Sequence, residues 1–286
     1  MMQPVLNEIC TQTGLKSLHF EPVQGGDISL AFCLHTQHSN FFIKINKAGA
    51  FPGMFKQEAK GLHTLDGKSS LYIPAVRAHG ETGGWQWLML EWEEKGRPSA
   101  HLWEKLGTGM AELHQNSQSL FGFDSDNYIG ALQQSNQLTS TWPAFYASQR
   151  IYPLGKTLFD EGLFGEREMK VIENAERRLK EIFPAEQPAL LHGDLWSGNF
   201  MVNGEGNPCV YDPAVYYGHR EMDIGMTLLF GGFDRKFYEA YNERFPLEKN
   251  WQARISFTQL YPLLVHAVLF GGHYVQSASN ILRELK

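Results

Sequence analysis

The first ninety residues alternate between short apolar runs and turn residues, a pattern typical of strands joined by hairpins. Two segments in this part instead have helical spacing: residues 1–20, with Val5, Leu6 and Ile9 on one side, and residues 55–65. The pattern therefore predicts a sheet with two helices. The predicted strands cover residues 18–23, 30–34, 41–45, 73–76 and 87–90.

After a polar break at residues 93–98, helical spacing takes over. Leu102, Leu106, Met110 and Leu113 share one face of a helix that Ser99 could cap and that ends near residue 114. Further helices are predicted over residues 166–183 and 251–285, where paired glycines at 271–272 suggest close helix contact, and a long loop over 121–150. The sequence thus predicts an α+β protein with an N-lobe at 1–92 and a C-lobe at 93–286.

Composition narrows the possible functions. The chain has 286 residues, of which 43% are hydrophobic and 20% charged, and a net charge of −6, which argues against nonspecific nucleic-acid binding. No run approaches the apolar length of a membrane span, and the first residues lack a signal-peptide pattern. Cys10, Cys33 and Cys209 are far apart and form no metal or disulfide framework. We therefore expect a cytoplasmic protein that binds neither membrane nor nucleic acid.

The chemistry concentrates in residues 190–213. Asp194 follows an apolar pair and a His-Gly turn, Asn199 comes five residues later, and Asp212 ends a second short strand. This Asp–Asn spacing is that of a kinase catalytic loop, in which one acid orients the attacking hydroxyl and the amide and second acid hold Mg²⁺. A surface hairpin is the alternative for an isolated Asp and Asn, since both favour turns.

A phosphate-binding site in the N-lobe would complete this chemistry. Lys44 lies inside an apolar strand, where a lysine is costly unless it meets an acid or a phosphate, and Glu58 on the next helix is the expected partner. Gly25 and Gly26 would let a loop approach the ATP phosphates. The alternatives are an edge-strand lysine, a solvated glutamate and an ordinary hairpin turn.

Three strings carry a family resemblance: HGDLWSGN at 192–199, YDPA at 211–214 and DNYIG at 126–130. Together they resemble the fructosamine/ketosamine kinase family. The resemblance implies a two-lobed protein-kinase-like fold, with an antiparallel-sheet N-lobe and a mostly helical C-lobe. It implies ATP and Mg²⁺ as cofactors and the roles already suggested for Asp194, Asn199, Asp212 and Lys44. In such folds a hinge binds the adenine edge, which places Glu91 and Trp92 beside it.

The resemblance also implies supporting residues and a substrate. Asp223 is expected to brace the catalytic loop. Apart from the resemblance, His114 is expected to be a packed or hydrogen-bonded structural histidine. The acceptor would be the 3-hydroxyl of a ribulosamine, erythrulosamine or fructosamine, free or on a protein, and phosphorylation would lead to deglycation. We expect a monomer. The alternatives are a phosphotransferase of the same fold acting on an aminoglycoside, choline or another hydroxylated amine, and a nucleotide-binding pseudokinase.

Overall fold

The computed structural model describes residues 2–23 and 28–285. Its N-terminal third is built on an antiparallel sheet. Its five strands lie in the order β1-β2-β3-β5-β4, so β3, which carries Lys44, is central rather than an edge strand. The strands are β1 Ser17–Val23, β2 Leu30–Thr36, β3 Asn40–Lys47, β4 Val76–Thr82 and β5 Trp85–Glu91.

The two faces of this sheet have different partners because side chains alternate along each strand. Ile43 and Ile45 are fully buried under helix α1, Gln3–Thr13, together with Leu6 and Ile9. Lys44, between those two isoleucines, points to the other face. One face of the sheet is thus an apolar core, and the other carries polar chemistry.

Helix α2, Met54–Leu65, packs against both halves of the molecule. Phe55, Leu62 and Leu65 pack in a core cluster that includes strand residue Leu88 and continues into the C-terminal half as far as Tyr241. The lobes therefore share a hydrophobic core.

The C-terminal two thirds are mostly helical, which confirms the predicted two-lobed α+β architecture. A core of 28 buried residues from 121 to 285 fills its centre. A π-helix, Tyr146–Ile151, and a 3₁₀-helix, Trp251–Arg254, interrupt the α-helices. The α-helices are α3 Leu102–His114, α4 Trp142–Phe145, α5 Tyr152–Asp160, α6 Glu166–Glu173, α7 Ala175–Ile182, α8 Glu221–Leu229, α9 Arg235–Arg244, α10 Ile255–Phe270 and α11 His273–Glu284.

Three two-stranded ribbons complete the C-terminal lobe. β8 pairs with β11, β9 with β10, and β6 with β7, all antiparallel. Their strands are β6 Asn127–Ile129, β7 Leu132–Gln134, β8 Ala189–Leu191, β9 Phe200–Val202, β10 Pro208–Val210 and β11 Tyr216–Gly218.

The sequence was expected to contain no run that approaches a membrane span, but the helical segment Trp251–Phe270 is long and apolar enough to cross a membrane by length and composition, with a mean hydropathy of 1.2. Half of it is buried inside the protein. Leu260 and Leu264 on α10 are fully buried in the C-terminal core, so this segment has the packing of a core helix.

Several predicted element limits were wrong. The predicted strand at 73–76 begins only at Val76, because the residues before it lie outside the ladder. Ser99 does not cap α3; His101 occupies the cap position without a side-chain bond. The helix predicted over 166–183 is two helices separated at Asn174. The region 121–150 is not a loop but folds into β6, β7, α4 and a π-helix.

The paired glycines at 271–272 were also misread. Gly271 and Gly272 have φ values of 63° and 61°, in the left-handed region, and a Cβ on either would meet nothing within 4 Å. They form the turn between α10 and α11 and do not mediate close helix contact.

Candidate active site

The catalytic segment starts where strand β8 ends. Gly193 has a φ of 84°, and a Cβ there would lie 2.1 Å from the carbonyl oxygen of Ala214. Only glycine fits this turn. The amide of Ala214 in turn donates to the carbonyl oxygen of His192 at 2.9 Å. The chain is thereby held against the segment that follows Asp212.

Asp194 and Asn199 form the two ends of a closed loop. The Asn199 Nδ2 donates to the backbone oxygen of Asp194 at 2.8 Å and to its Oδ2 at 2.9 Å. Leu195 is fully buried and anchors the loop from below. The five-residue spacing in the sequence therefore lets the Asn199 side-chain amide donate to the Asp194 carboxylate.

The surroundings of Asp194 hold back its ionisation. Burial raises the pKa of its carboxyl group to about 7; the bond from Asn199 opposes this, and the charges of Asp212 and Asp223 add to it. A carboxylate with this pKa is suited to accept a proton near neutral pH. Asp194 thus has the chemistry of a general base.

Asp212 meets Lys44 from the opposite lobe. Lys44 Nζ donates to Asp212 Oδ1 at 2.7 Å and to Glu58 Oε1 at 2.8 Å. Asp212 has a φ of 56°, which is rare for a residue with a side chain and is a site of local backbone strain. The predicted lysine–glutamate pair is present, and an acid of the catalytic hairpin joins it.

The three charges of this bridge influence each other. Burial alone would lower the pKa of Lys44, but Asp212 and Glu58 raise it above its ordinary value, so the ammonium stays charged. Burial raises the pKa of Glu58 to about 7, although Lys44 opposes the rise. The lysine is thus preset as a cation facing the cleft.

Close packing of α2 places Glu58 in the bridge. A Cβ on Gly61 would lie 3.3 Å from Val215 and 3.4 Å from Pro213, so a larger residue would press on the strand after Asp212. Glu58 precedes Gly61 by one helical turn and lies on the same side of α2. The glycine lets the helix approach until Glu58 and Asp212 share Lys44.

Asp223 braces the loop from behind, as predicted. Its carboxylate accepts the backbone amides of His192 at 2.8 Å and Gly193 at 3.0 Å, and lies 3.1 Å from His114 Nε2. The His114 Nδ1 is 2.7 Å from the hydroxyl of Tyr241. Burial would raise the pKa of Asp223, but its hydrogen bonds and the neighbouring histidines lower it below the ordinary value.

Tyr211 is a support that sequence reasoning missed. Its hydroxyl donates to the backbone oxygen of Gly198 at 3.0 Å, and its own backbone oxygen is 3.0 Å from His192 Nε2. The Tyr211 carbonyl oxygen can only accept, so Nε2–H of His192 is the donor. Burial lowers the pKa of His192. The available signal in the sequence was the position of Tyr211 directly before Asp212.

The hinge residues use their side chains elsewhere. The Glu91 carboxylate accepts from Tyr72 and, at 2.6 Å, from Arg77. The Trp92 indole donates to Glu94 at 2.9 Å, with its ring 6.5 Å from that of Phe42. Their backbone groups remain the predicted adenine neighbours. Gly25 and Gly26 lie outside the described residues.

The donor set fits Mg²⁺. Carboxylate and amide oxygens are its preferred protein ligands. Asn199 uses Nδ2 for Asp194, which leaves its Oδ1 for a metal, and Asp212 uses Oδ1 for Lys44, which leaves Oδ2. Asn199 Oδ1 and Asp212 Oδ2 are therefore the atoms that would hold the cation.

The fold and the site define an ATP-dependent phosphotransferase with the two-lobed architecture of protein kinases: a lysine from the sheet binds an acid of the hairpin that also carries the Asp194–Asn199 pair. The chain belongs to the fructosamine kinase family, whose sequence model matches residues 1–286.

Individual relatives cover nearly the whole chain. It is 37% identical to the probable ketoamine kinase of Synechocystis sp., over 99% of this chain and 96% of that protein. It is 34% identical to the chloroplastic protein-ribulosamine 3-kinase of Arabidopsis thaliana, over 91% of this chain and 80% of that protein. The crystal structure of a candidate fructosamine-3-kinase from Thermobifida fusca has a TM-score of 0.87 at 32% identity and covers 98% of both chains.

Proposed function

We propose that this kinase transfers the γ-phosphoryl group of ATP to the 3-hydroxyl of a ketosamine. The observation that carries the proposal is that Lys44 of the sheet binds Asp212 at 2.7 Å, beside the Asp194–Asn199 pair. The backbone amide of Tyr211, which precedes Asp212, donates to the backbone oxygen of Asn199 at 3.1 Å and joins the two groups. The similarity to the ribulosamine 3-kinase of Arabidopsis, which extends over 91% of this chain, supports a ketosamine as the acceptor.

Each residue has one task in this reaction. Asp194 orients the sugar hydroxyl and accepts its proton, for which a pKa of about 7 is suitable. Lys44, held by Glu58, positions the α- and β-phosphates. Asn199 and Asp212 hold Mg²⁺, which when bound neutralises charge developing on the phosphates.

Nucleotide binding must rearrange the lysine bridge. Lys44 contacts both Glu58 and Asp212, and a triphosphate would draw the lysine toward its own oxygens. The Asp212 Oδ1 would then lose its lysine bond, so that both oxygens of this carboxylate could serve a metal, while Glu58 keeps Lys44 in place. Gly25 and Gly26 are assigned to the loop over the phosphates by sequence alone.

The biological role follows from the product. The family resemblance implies that a ketosamine 3-phosphate is unstable and loses its sugar, which frees the amine. The enzyme would then repair glycated amines in the cytoplasm, where ATP is available, and act as a monomer. The order of preference among ribulosamines, erythrulosamines and fructosamines is left to the assay.

The test is ADP release from ATP and Mg²⁺ across ribuloselysine, fructoselysine, choline and kanamycin. We expect turnover with the ketosamines, no ketosamine turnover by Asp194→Asn, and ATP binding retained by that variant. Lys44→Met should instead weaken ATP binding. Turnover of only choline or kanamycin would refute the acceptor, and full activity of Asp194→Asn would refute its role as base.

A further inference from the structure

Two histidines and a glutamate lie together on the first two strands. His19 of β1 pairs with His35 of β2 in the antiparallel ladder, and Glu21 pairs with Cys33 two positions further. Since side chains repeat every two residues along a strand, the three side chains share one face. The fold thus brings together three potential metal ligands that are separated in the sequence.

Their geometry is compact. The imidazole rings of His19 and His35 are stacked, with centroids 4.1 Å apart and 10° between their planes. The Nε2 of His35 lies 3.4 Å from Oε2 of Glu21, and one ligand atom from each residue lies within 4.8 Å of the others. Tetrahedral ligands about 2.1 Å from a zinc ion are about 3.4 Å apart, which is the separation of the His35 and Glu21 atoms.

The environment also favours a cation. The Nε2 of His35 is shielded from solvent and has no hydrogen-bond partner among residues 2–23 and 28–285. A stacked histidine pair alone would be an ordinary cross-strand contact. The additional feature is a carboxylate 3.4 Å from a shielded nitrogen that makes no hydrogen bond among the described residues, and the exposed Glu21 leaves an open side through which an ion and its water can enter.

We propose that His19, Glu21 and His35 form a binding site for a divalent transition-metal ion of the Zn²⁺, Co²⁺, Ni²⁺ and Cu²⁺ class. Two imidazoles and one carboxylate are ligands that these ions prefer, whereas Mg²⁺ prefers oxygen. The site is therefore chemically distinct from the oxygen-donor set at Asn199 and Asp212.

The metal site would lie on the same face of the sheet as the catalytic lysine. Ala31 pairs with Lys44, and His35 lies four residues along β2 from Ala31, which corresponds to about 13 Å. A bound ion would cross-link the edge strand β1 to β2 and so stabilise the hairpin whose connection includes residues 24–27. It would act on the N-lobe without touching the reacting groups.

Cys33 is the nearest competing ligand and is excluded by its position. It is buried at 2% exposure and does not belong to the group of residues whose ligand atoms lie within 4.8 Å of one another. Cys33→Ser should therefore retain metal binding.

The test is titration of the nucleotide-free, tag-free protein with Zn²⁺ by calorimetry and with Co²⁺ by its visible absorption. We expect one equivalent to bind, and the melting temperature to rise with Zn²⁺. His19→Ala and Glu21→Gln should each weaken binding at least about tenfold. All variants should melt like the wild type in EDTA, which shows that they fold.

His38→Ala is the matched control, because His38 is an exposed histidine in the turn after β2. It should bind Zn²⁺ like the wild type. Absence of Zn²⁺ binding in the wild type, unchanged affinity in His19→Ala, or loss of binding in Cys33→Ser or His38→Ala would each overturn the proposal. Because these readouts need no ketosamine, they are independent of the proposed reaction.

Discussion

Ionised Asp194 should lower the free energy of unfolding above neutral pH. Burial, with the charges of Asp212 and Asp223, raises the pKa of its carboxyl group from 3.8 to about 7. A rise of this size means that ionising Asp194 costs about 4 kcal/mol more in the folded protein than in the unfolded chain. Because Asp194 is only partly buried, water screens part of this cost, and we expect about 2 kcal/mol.

The variant Asp194→Asn removes this cost and keeps the shape of the side chain. Its amide oxygen can still accept the bond from Asn199. The folded protein binds the Asp194 proton more tightly than the unfolded chain does. The penalty is therefore complete above pH 7 and declines as the pH falls from about 7 toward 4. The inactive variant should thus be more stable than the wild type at pH 8, by about 2 kcal/mol, and gain less than half as much at pH 5.

Urea unfolding in EDTA at pH 8 and pH 5 measures both values. Asp124→Asn is the control, because Asp124 is an exposed aspartate paired with Lys60, and it should change stability by less than about 0.5 kcal/mol at either pH. The reasoning would be refuted if Asp194→Asn were less stable than the wild type, or if its free energy of unfolding rose equally at both pH values. Either result would show that ionised Asp194 does not destabilise the folded protein.

The remaining predictions concern the support of the loop. Asp223→Ala leaves two buried backbone amides and His114 without their acceptor, so the free energy of unfolding should fall by about 3–5 kcal/mol and hydrogen exchange at 192–193 should accelerate; unchanged exchange would contradict the brace. Gly225→Ala would place a Cβ 1.9 Å from Thr258 Oγ1, and the overlap of α8 with α10 should cost about 1–3 kcal/mol in urea unfolding. Thr258→Ala in the same chain should recover part of that loss; no recovery would mean that the overlap is elsewhere.

The local chemistry of the site was predictable because it depends on spacing. Asp194 and Asn199 are five residues apart on a turn that glycine permits, and a lysine inside an apolar strand requires an acid. Both statements need only the sequence. The pairing of Lys44 with Glu58 was predictable because the helix that carries Glu58 directly follows the strand that carries Lys44.

The contacts that depend on packing between distant elements were not predictable. That Asp212 also binds Lys44 requires α2 to approach the hairpin closely at Gly61, 151 positions before Asp212 in the chain. The region 121–150 was read as a loop because its short strands and π-helix lack a repeating apolar pattern. The histidine cluster was missed because it exists only once β1 and β2 are in register.

The shared core around α2 limits how the molecule can be divided. The predicted boundary at residue 92 separates the sequence into two lobes, but Phe55, Leu62 and Leu65 are covered partly by residues beyond it, such as Leu190 and Val215. A fragment that stopped at the boundary would expose this apolar surface to water and would be prone to aggregation. The first 92 residues therefore need the rest of the chain to keep this apolar surface away from water.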